Sequence, residues 1–144
     1  MEHGADNIAE ALISRDPAAF KIAIGQFLKE SVSYFDSAAE GFYHGLTLGF
    51  LAILRNRFRV TSNGESGDGR FDLMLRPYLP GFPGYVIEVK LADSDADDLK
   101  ELADAALGQI DRKDYAAALR AEGVAAIVKI GLAYRRKRVE LAVG

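Results

Sequence analysis

The chain predicts an α/β fold, a mixed sheet of about four to five strands flanked by helices. Three observations carry this. Apolar residues recur at helical spacing through the first third; short strand-like segments broken by Gly/Pro-rich stretches follow; and a long helical run then separates them from two final strand-like segments.

The first third reads as helical. Asp16-Pro17 puts a capping residue before a proline at the first helical position. Phe20, Ile24, Phe27, Leu28 and Val32 then recur at helical spacing through Ser33. A third helix is expected from Ser37 to Arg55, with Gly41, Gly45 and Gly49 along one face. Helical glycine costs up to about 1 kcal/mol against alanine, so this bare face is expected to pack closely on another element.

Strands are expected at Phe58–Thr61, Arg70–Arg76 and Tyr85–Leu91. Ser62 to Gly69 is turn chemistry throughout. Pro77 to Gly84 is too rich in proline and glycine for a central strand and is expected to join two antiparallel strands. Asp93 to Ala121 reads as one helix, its acidic start favoured by the macrodipole and its stop supplied by Gly123. Ala125–Tyr134 and Val139–Val143 close the chain as strands around Arg135–Arg138.

At 144 residues the chain has the size of one domain, residues 1–144. It has no cysteine, which excludes disulfides, thiolate zinc sites and a cysteine nucleophile. The polar, acidic opening from Met1 to Glu10 does not resemble a cleavable signal, and Leu46–Leu54 is too short to span a bilayer. An intracellular, cytoplasmic protein without a membrane partner is expected. The net charge of −3 argues against non-specific coating of nucleic acid, although a local basic patch could still bind phosphates.

The chemistry concentrates in Gly69-Arg70-Phe71-Asp72 and Glu88-Val89-Lys90. Strand alternation places Phe71, Leu73 and Leu75 on one face, with Asp72 and Met74 on the other. Val86, Glu88 and Lys90 likewise share a face. A hairpin folded about Pro80 sets Asp72 across from Glu88, pointing the same way. Like charges placed opposite one another destabilise a sheet, and a divalent cation between them would resolve the conflict. Lys90 would then lie near enough to orient or deprotonate an attacking water, an arrangement suited to metal-assisted phosphodiester cleavage. On spacing alone, a Glu and a Lys two apart are also common on solvated faces. The apolar Val86-Ile87 before them instead suggests a core strand, where charge is costly unless paired or functional.

With these residues in place, the chain resembles the PD-(D/E)XK nuclease superfamily, in the branch found as the C-terminal domain of proteins with an N-terminal AAA-type ATPase region. The likeness runs from about Ala9 to Val143. It rests on Tyr34-Phe35-Asp36, Glu40 to Leu51, Ser62-Asn63, Glu65-Ser66-Gly67 and Gly69 to Asp72. It continues through Ile87 to Lys90, Ala106 to Ile110, and Lys129 to Ala133. The resemblance implies a restriction-endonuclease-like core that binds Mg²⁺ or Mn²⁺ through Asp72 and Glu88, with Lys90 as the catalytic lysine. Glu40 matches an acidic position that joins the metal shell, and Gln109 a polar position that contacts site or substrate. Phe71 stands where the family name has proline. The partner implied is nucleic acid, DNA before RNA, and the parent protein could carry an ATPase region.

Tyr43, His44 and Thr47 share a helical face with Glu40, as a wall of the site or as a solvated or capping face; for Tyr43 and His44 the second reading is slightly preferred. Lys129 could point toward the site or snorkel at an edge. Arg70, with Glu65, flanks the first site strand and could position substrate. Arg135–Arg138 is either a phosphate grip or a solvated hairpin tip. The competing functions are a catalytically silent module binding nucleic acid or protein, and a homodimer formed through the glycine face.

Overall fold

The computed structural model describes residues 2–31 and 40–144, with side chains over 7–30 and 41–144. Tyr34-Phe35-Asp36, Val32 and the expected start of the third helix lie outside the described residues.

Helices α1 (Glu2–Ile13), α2 (Pro17–Ser31) and α3 (Glu40–Leu51) come first, and a 3-10 turn over Ala52–Asn56 follows α3. The cap read from Asp16-Pro17 is present, with Ala19 N–H donating to Asp16 Oδ1 at 3.1 Å. The strands are β1 (Phe58–Ser62), β2 (Glu65–Ser66), β3 (Gly69–Arg70), β4 (Leu73–Pro77), β5 (Gly84–Leu91), β6 (Ile127–Arg135) and β7 (Arg138–Val143). Helices α4 (Leu99–Arg112) and α5 (Ala117–Ala121) connect β5 to β6.

The main sheet has five strands in the order β1-β4-β5-β6-β7. Only β5 and β6 are parallel, as expected for a pair joined by a helical crossover. The fold is therefore α/β with a mixed central sheet flanked by helices. The larger core, including Ile24, Leu28, Leu51, Leu73, Ile87, Leu132 and Tyr134, lies between the sheet and α1–α3. A smaller core of Met74, Val86, Ile110, Tyr115 and Leu119 lies under α4 and α5. Among the described residues, no helix is long and apolar enough to cross a membrane.

The β4–β5 register is Leu73↔Ile87, Met74↔Val86 and Leu75↔Tyr85, which is the hairpin expected around Pro80. Other expectations need correction. Strand β4 begins only at Leu73, so alternation does not reach Phe71, whose ring joins Met74 in the smaller core. Ser62–Gly69 is not all turn. It folds with Arg70 into the β2–β3 hairpin, pairing Glu65 with Arg70 and Ser66 with Gly69.

The run from Asp93 to Ala121 is not one helix. Asp98 caps α4, accepting from Glu101 N–H at 3.1 Å, so Asp93, Asp95 and Asp97 precede the helix. The run breaks again between Arg112 and Ala117, where Asp114 takes φ 52°. The β2–β3 hairpin docks on this break. Asp68 N–H donates to Lys113 O at 2.8 Å and Ser66 Oγ accepts from Ala118 N–H at 2.9 Å, satisfying groups that helix ends leave unpaired. Gly67, at φ 60°, lies so close to the Lys113 and Asp114 carbonyls that any side chain would collide with them. Gly123, at φ 85°, ends the segment as expected.

The glycine face of α3 is likewise corrected. Helix α3 buries Tyr43, Thr47, Phe50 and Leu51 and turns Gly41, Gly45 and Gly49 outward. Among the described residues, a Cβ at any of these three glycines would meet nothing within 4 Å.

Candidate active site

Strand β5 is the central strand and is buried along most of its length. Its side chains alternate between the two cores: Tyr85, Ile87 and Val89 face α1–α3, whereas Glu88 and Lys90 share the α4 side with Val86. Asp72 immediately precedes β4, opposite Glu88 by extension of the register. Its Oδ2 accepts from Val89 N–H at 2.8 Å, which fixes the carboxylate beside the strand.

Gln109, on the third turn of α4, ties the remaining groups together. Its Nε2 donates to Glu88 Oε2 at 2.8 Å and to the Tyr115 hydroxyl at 3.0 Å. Its Oε1 accepts from Lys90 Nζ at 2.8 Å. One amide therefore holds the buried acid and the lysine at once, and Lys90 Nζ stands 3.8 Å from Glu88 Oε2. The helix comes close enough because β6 carries Gly131 opposite Glu88: a Cβ there would strike Ala103 O and approach Leu107 N to 2.7 Å.

The electrostatics are strained. The Glu88 side chain is only 4 % exposed. Burial, and then the Asp72 carboxylate beside it, raise its pKa from 4.5 to about 8, with Lys90 opposing the shift. Glu88 Oε1 and His44 Nε2 are buried without a hydrogen-bond partner among the described residues. An orphaned buried carboxylate oxygen beside a second carboxylate is costly unless a cation joins them.

This donor set fits Mg²⁺ or Mn²⁺. Among the described residues, no three His, Cys, Asp or Glu side chains converge on one point. A hard cation of this kind nevertheless binds through one or two carboxylates and keeps several waters. Asp72 and Glu88 would supply those carboxylates. Glu40 opens α3, but its side chain lies outside the described residues.

The other candidates separate. Tyr43 and Thr47 belong to the core. The Tyr43 ring stacks on Tyr134 with centroids 4.8 Å apart, and Thr47 Oγ1 shares a 2.8 Å hydrogen bond with the Tyr134 hydroxyl. His44 is closer to the wall reading, its Nδ1 3.9 Å from Asp72 Oδ1. It stands one helical turn after Glu40, a spacing that could have singled it out. Tyr115 had no such signal, because only the break after α4 brings it under Gln109.

Lys129 shares the Glu88 face of the sheet but sits opposite Val86, ion-paired with Asp111 at 2.6 Å. Arg70 is exposed on the β2–β3 hairpin opposite Glu65. Neither hydrogen-bonds Asp72, Glu88 or Lys90. An apolar pocket of about 300 Å³ lined by Leu12, Phe20, Tyr85 and Ile130 lies on the opposite face and includes none of the site residues.

A search of curated proteins returns no match. A family model described as the PD-(D/E)XK nuclease superfamily matches residues 38–142, a span that contains Asp72, the Glu88-Val89-Lys90 strand and Gln109. With most of its length matched, the chain belongs to the PD-(D/E)XK nuclease superfamily.

Proposed function

We propose that the chain is a metal-dependent nuclease domain that hydrolyses phosphodiester bonds in nucleic acid, with DNA as the first substrate to test. The observation that carries this is the meeting of Asp72, Glu88 and Lys90 around a buried carboxylate oxygen that has no hydrogen-bond partner among the described residues.

Asp72 and Glu88 would hold the ion, and Glu40 is proposed to join them. The bound ion supplies Lewis-acid polarisation of a phosphoryl oxygen and lowers the pKa of an attacking water. The remaining work falls to the chain itself. Val89 N–H orients the Asp72 carboxylate, and Gln109 keeps one Glu88 oxygen occupied so that the other faces the site. Lys90, held by Gln109 and partly open to solvent, is placed to orient the attacking water or move its proton. Gln109 is thus proposed to order the catalytic groups, whereas substrate contacts by Arg70 and Lys129 would require them to act at a distance from the carboxylates.

The intact Asp, Glu and Lys set favours catalysis over a silent binding role. Titration calorimetry with Mn²⁺ is expected to show a bound ion in the wild type and at least a tenfold loss of affinity in Asp72→Ala. Unchanged affinity in that variant would remove the proposed site.

A further inference from the structure

The sequence Arg135-Arg136-Lys137-Arg138 is unused by the site described above, yet the sheet brings its first and last residues to the same face. In the β5–β6 register Glu88 lies opposite Gly131 and Lys90 opposite Ala133. Arg135 is two residues further along β6, so alternation turns it to the side of the two site residues. Four residues separate it from the level of Glu88, about 13 Å at roughly 3.3 Å per residue. Arg138 pairs directly with Arg135 across the β6–β7 turn, which puts two guanidinium-bearing residues side by side.

Such a pairing is unfavourable without an anion to share. The protein supplies this only in part. Arg135 donates to Asp97 O at 2.8 Å and lies 3.7 Å from Asp95 Oδ1. Arg138 is exposed and has no acidic partner among the described residues. Around the sheet edge, Lys137 Nζ donates to Lys29 O at 3.3 Å, which draws the turn against the last turn of α2. Lys29 is exposed there and also has no acidic partner among the described residues. Across this edge Lys21 pairs with Glu140 at 2.8 Å. A groove of about 630 Å³ runs between α2 and the turn, lined by Lys29, Lys137, Arg138 and Leu99 among others. In a chain of net charge −3, this concentration of cations is a local feature rather than the general character of the surface.

We propose that Arg135 and Arg138, with Lys29, form a phosphate-binding corner that holds the nucleic-acid backbone a few nucleotides from the scissile bond. The choice of polymer rests on the nuclease reading. Guanidinium groups suit bidentate contact with phosphate. The distance along the sheet corresponds to about four nucleotides, at 3.4 Å of axial rise per nucleotide in each strand of a duplex.

The test is fluorescence anisotropy with an end-labelled 30-base-pair duplex in EDTA, across a series of salt concentrations. Wild type is compared with Arg138→Ala and with Lys29→Ala/Arg138→Ala; circular dichroism verifies that both variants fold. Each contact removed should lower the slope of log affinity against log salt by about 0.9. The double variant is therefore expected to lose about 1.8 in slope and at least tenfold in affinity at low salt. Slopes and affinities equal to wild type would overturn the corner, as would poly-glutamate displacing the duplex as effectively as unlabelled DNA at matched charge. Plasmid nicking run in parallel separates the two claims. Slope loss in a protein that does not nick supports the corner and counts against the nuclease reading. Nicking with unchanged slopes does the reverse.

Discussion

Replacing Glu88 by Gln should stabilise the metal-free protein, by an amount that depends on pH in a defined way. The Glu88 pKa is lifted from 4.5 to about 8 by burial and by Asp72. Below about pH 4.5 the carboxyl is protonated in both folded and unfolded chains, and the contribution to stability is fully present. Between the two values the unfolded chain releases the proton while the folded chain keeps it, so stability is lost as pH rises through the folded value. Glutamine has the same shape and does not titrate. The stability advantage of Glu88→Gln should therefore be smallest near pH 4.5, grow by up to about 1.4 kcal/mol per pH unit, and level off above pH 8. Over that interval the ceiling is about 5 kcal/mol, and relaxation around the site should leave about 2–4 kcal/mol. Urea unfolding followed by circular dichroism in EDTA measures it at each pH. Added Mg²⁺ should cancel most of the advantage, because an ion at a hundredfold excess over its Kd stabilises wild type by about 2.7 kcal/mol and finds no complete site in the variant. An advantage independent of pH, or one that shrinks as pH rises, would refute the proposed strain.

Two further substitutions test how the fold supports the site. Gly131→Ala should push α4 from the sheet, costing about 1–3 kcal/mol in urea unfolding. Cleavage should fall further than stability alone explains, because Gln109 moves with that helix; a variant of wild-type stability would show that the close approach is not needed. Gly45→Ala should raise stability by about 0.5–1 kcal/mol, since an exposed helical glycine is replaced without a clash. A loss in thermal unfolding would instead indicate that the glycine face packs closely on a partner.

Much of the site could be read before the fold was seen, for specific reasons. The prolines between Pro77 and Pro83 forced a loop, and the period-two pattern on each side then allowed one register that buried both apolar faces. That register put Asp72, Glu88 and Lys90 together. What escaped were features set by contacts distant in sequence. The break after Arg112 lies in a stretch of good helix formers and is held by Asp68, Gly67 and Ser66 from the β2–β3 hairpin. Phe71 left its expected face because the strand starts at Leu73, three residues later than expected. The spacing of Gly41, Gly45 and Gly49 defined a face but not its direction; the apolar and aromatic residues opposite took the core. Lys129 is open, from sequence, to pointing at the site or snorkelling at an edge, and its capture by Asp111 depended on where α4 came to rest.

The central claim is that Lys90 acts with the Asp72–Glu88 pair in phosphodiester cleavage. Nicking of supercoiled plasmid in Mn²⁺, with and without chelator, tests it most directly in wild type and Lys90→Ala. Wild type should nick only without chelator, and Lys90→Ala should lose about 100-fold or more in rate while its unfolding curve stays close to wild type. Cleavage by Lys90→Ala at the wild-type rate, or no chelator-sensitive nicking by wild type, would contradict it.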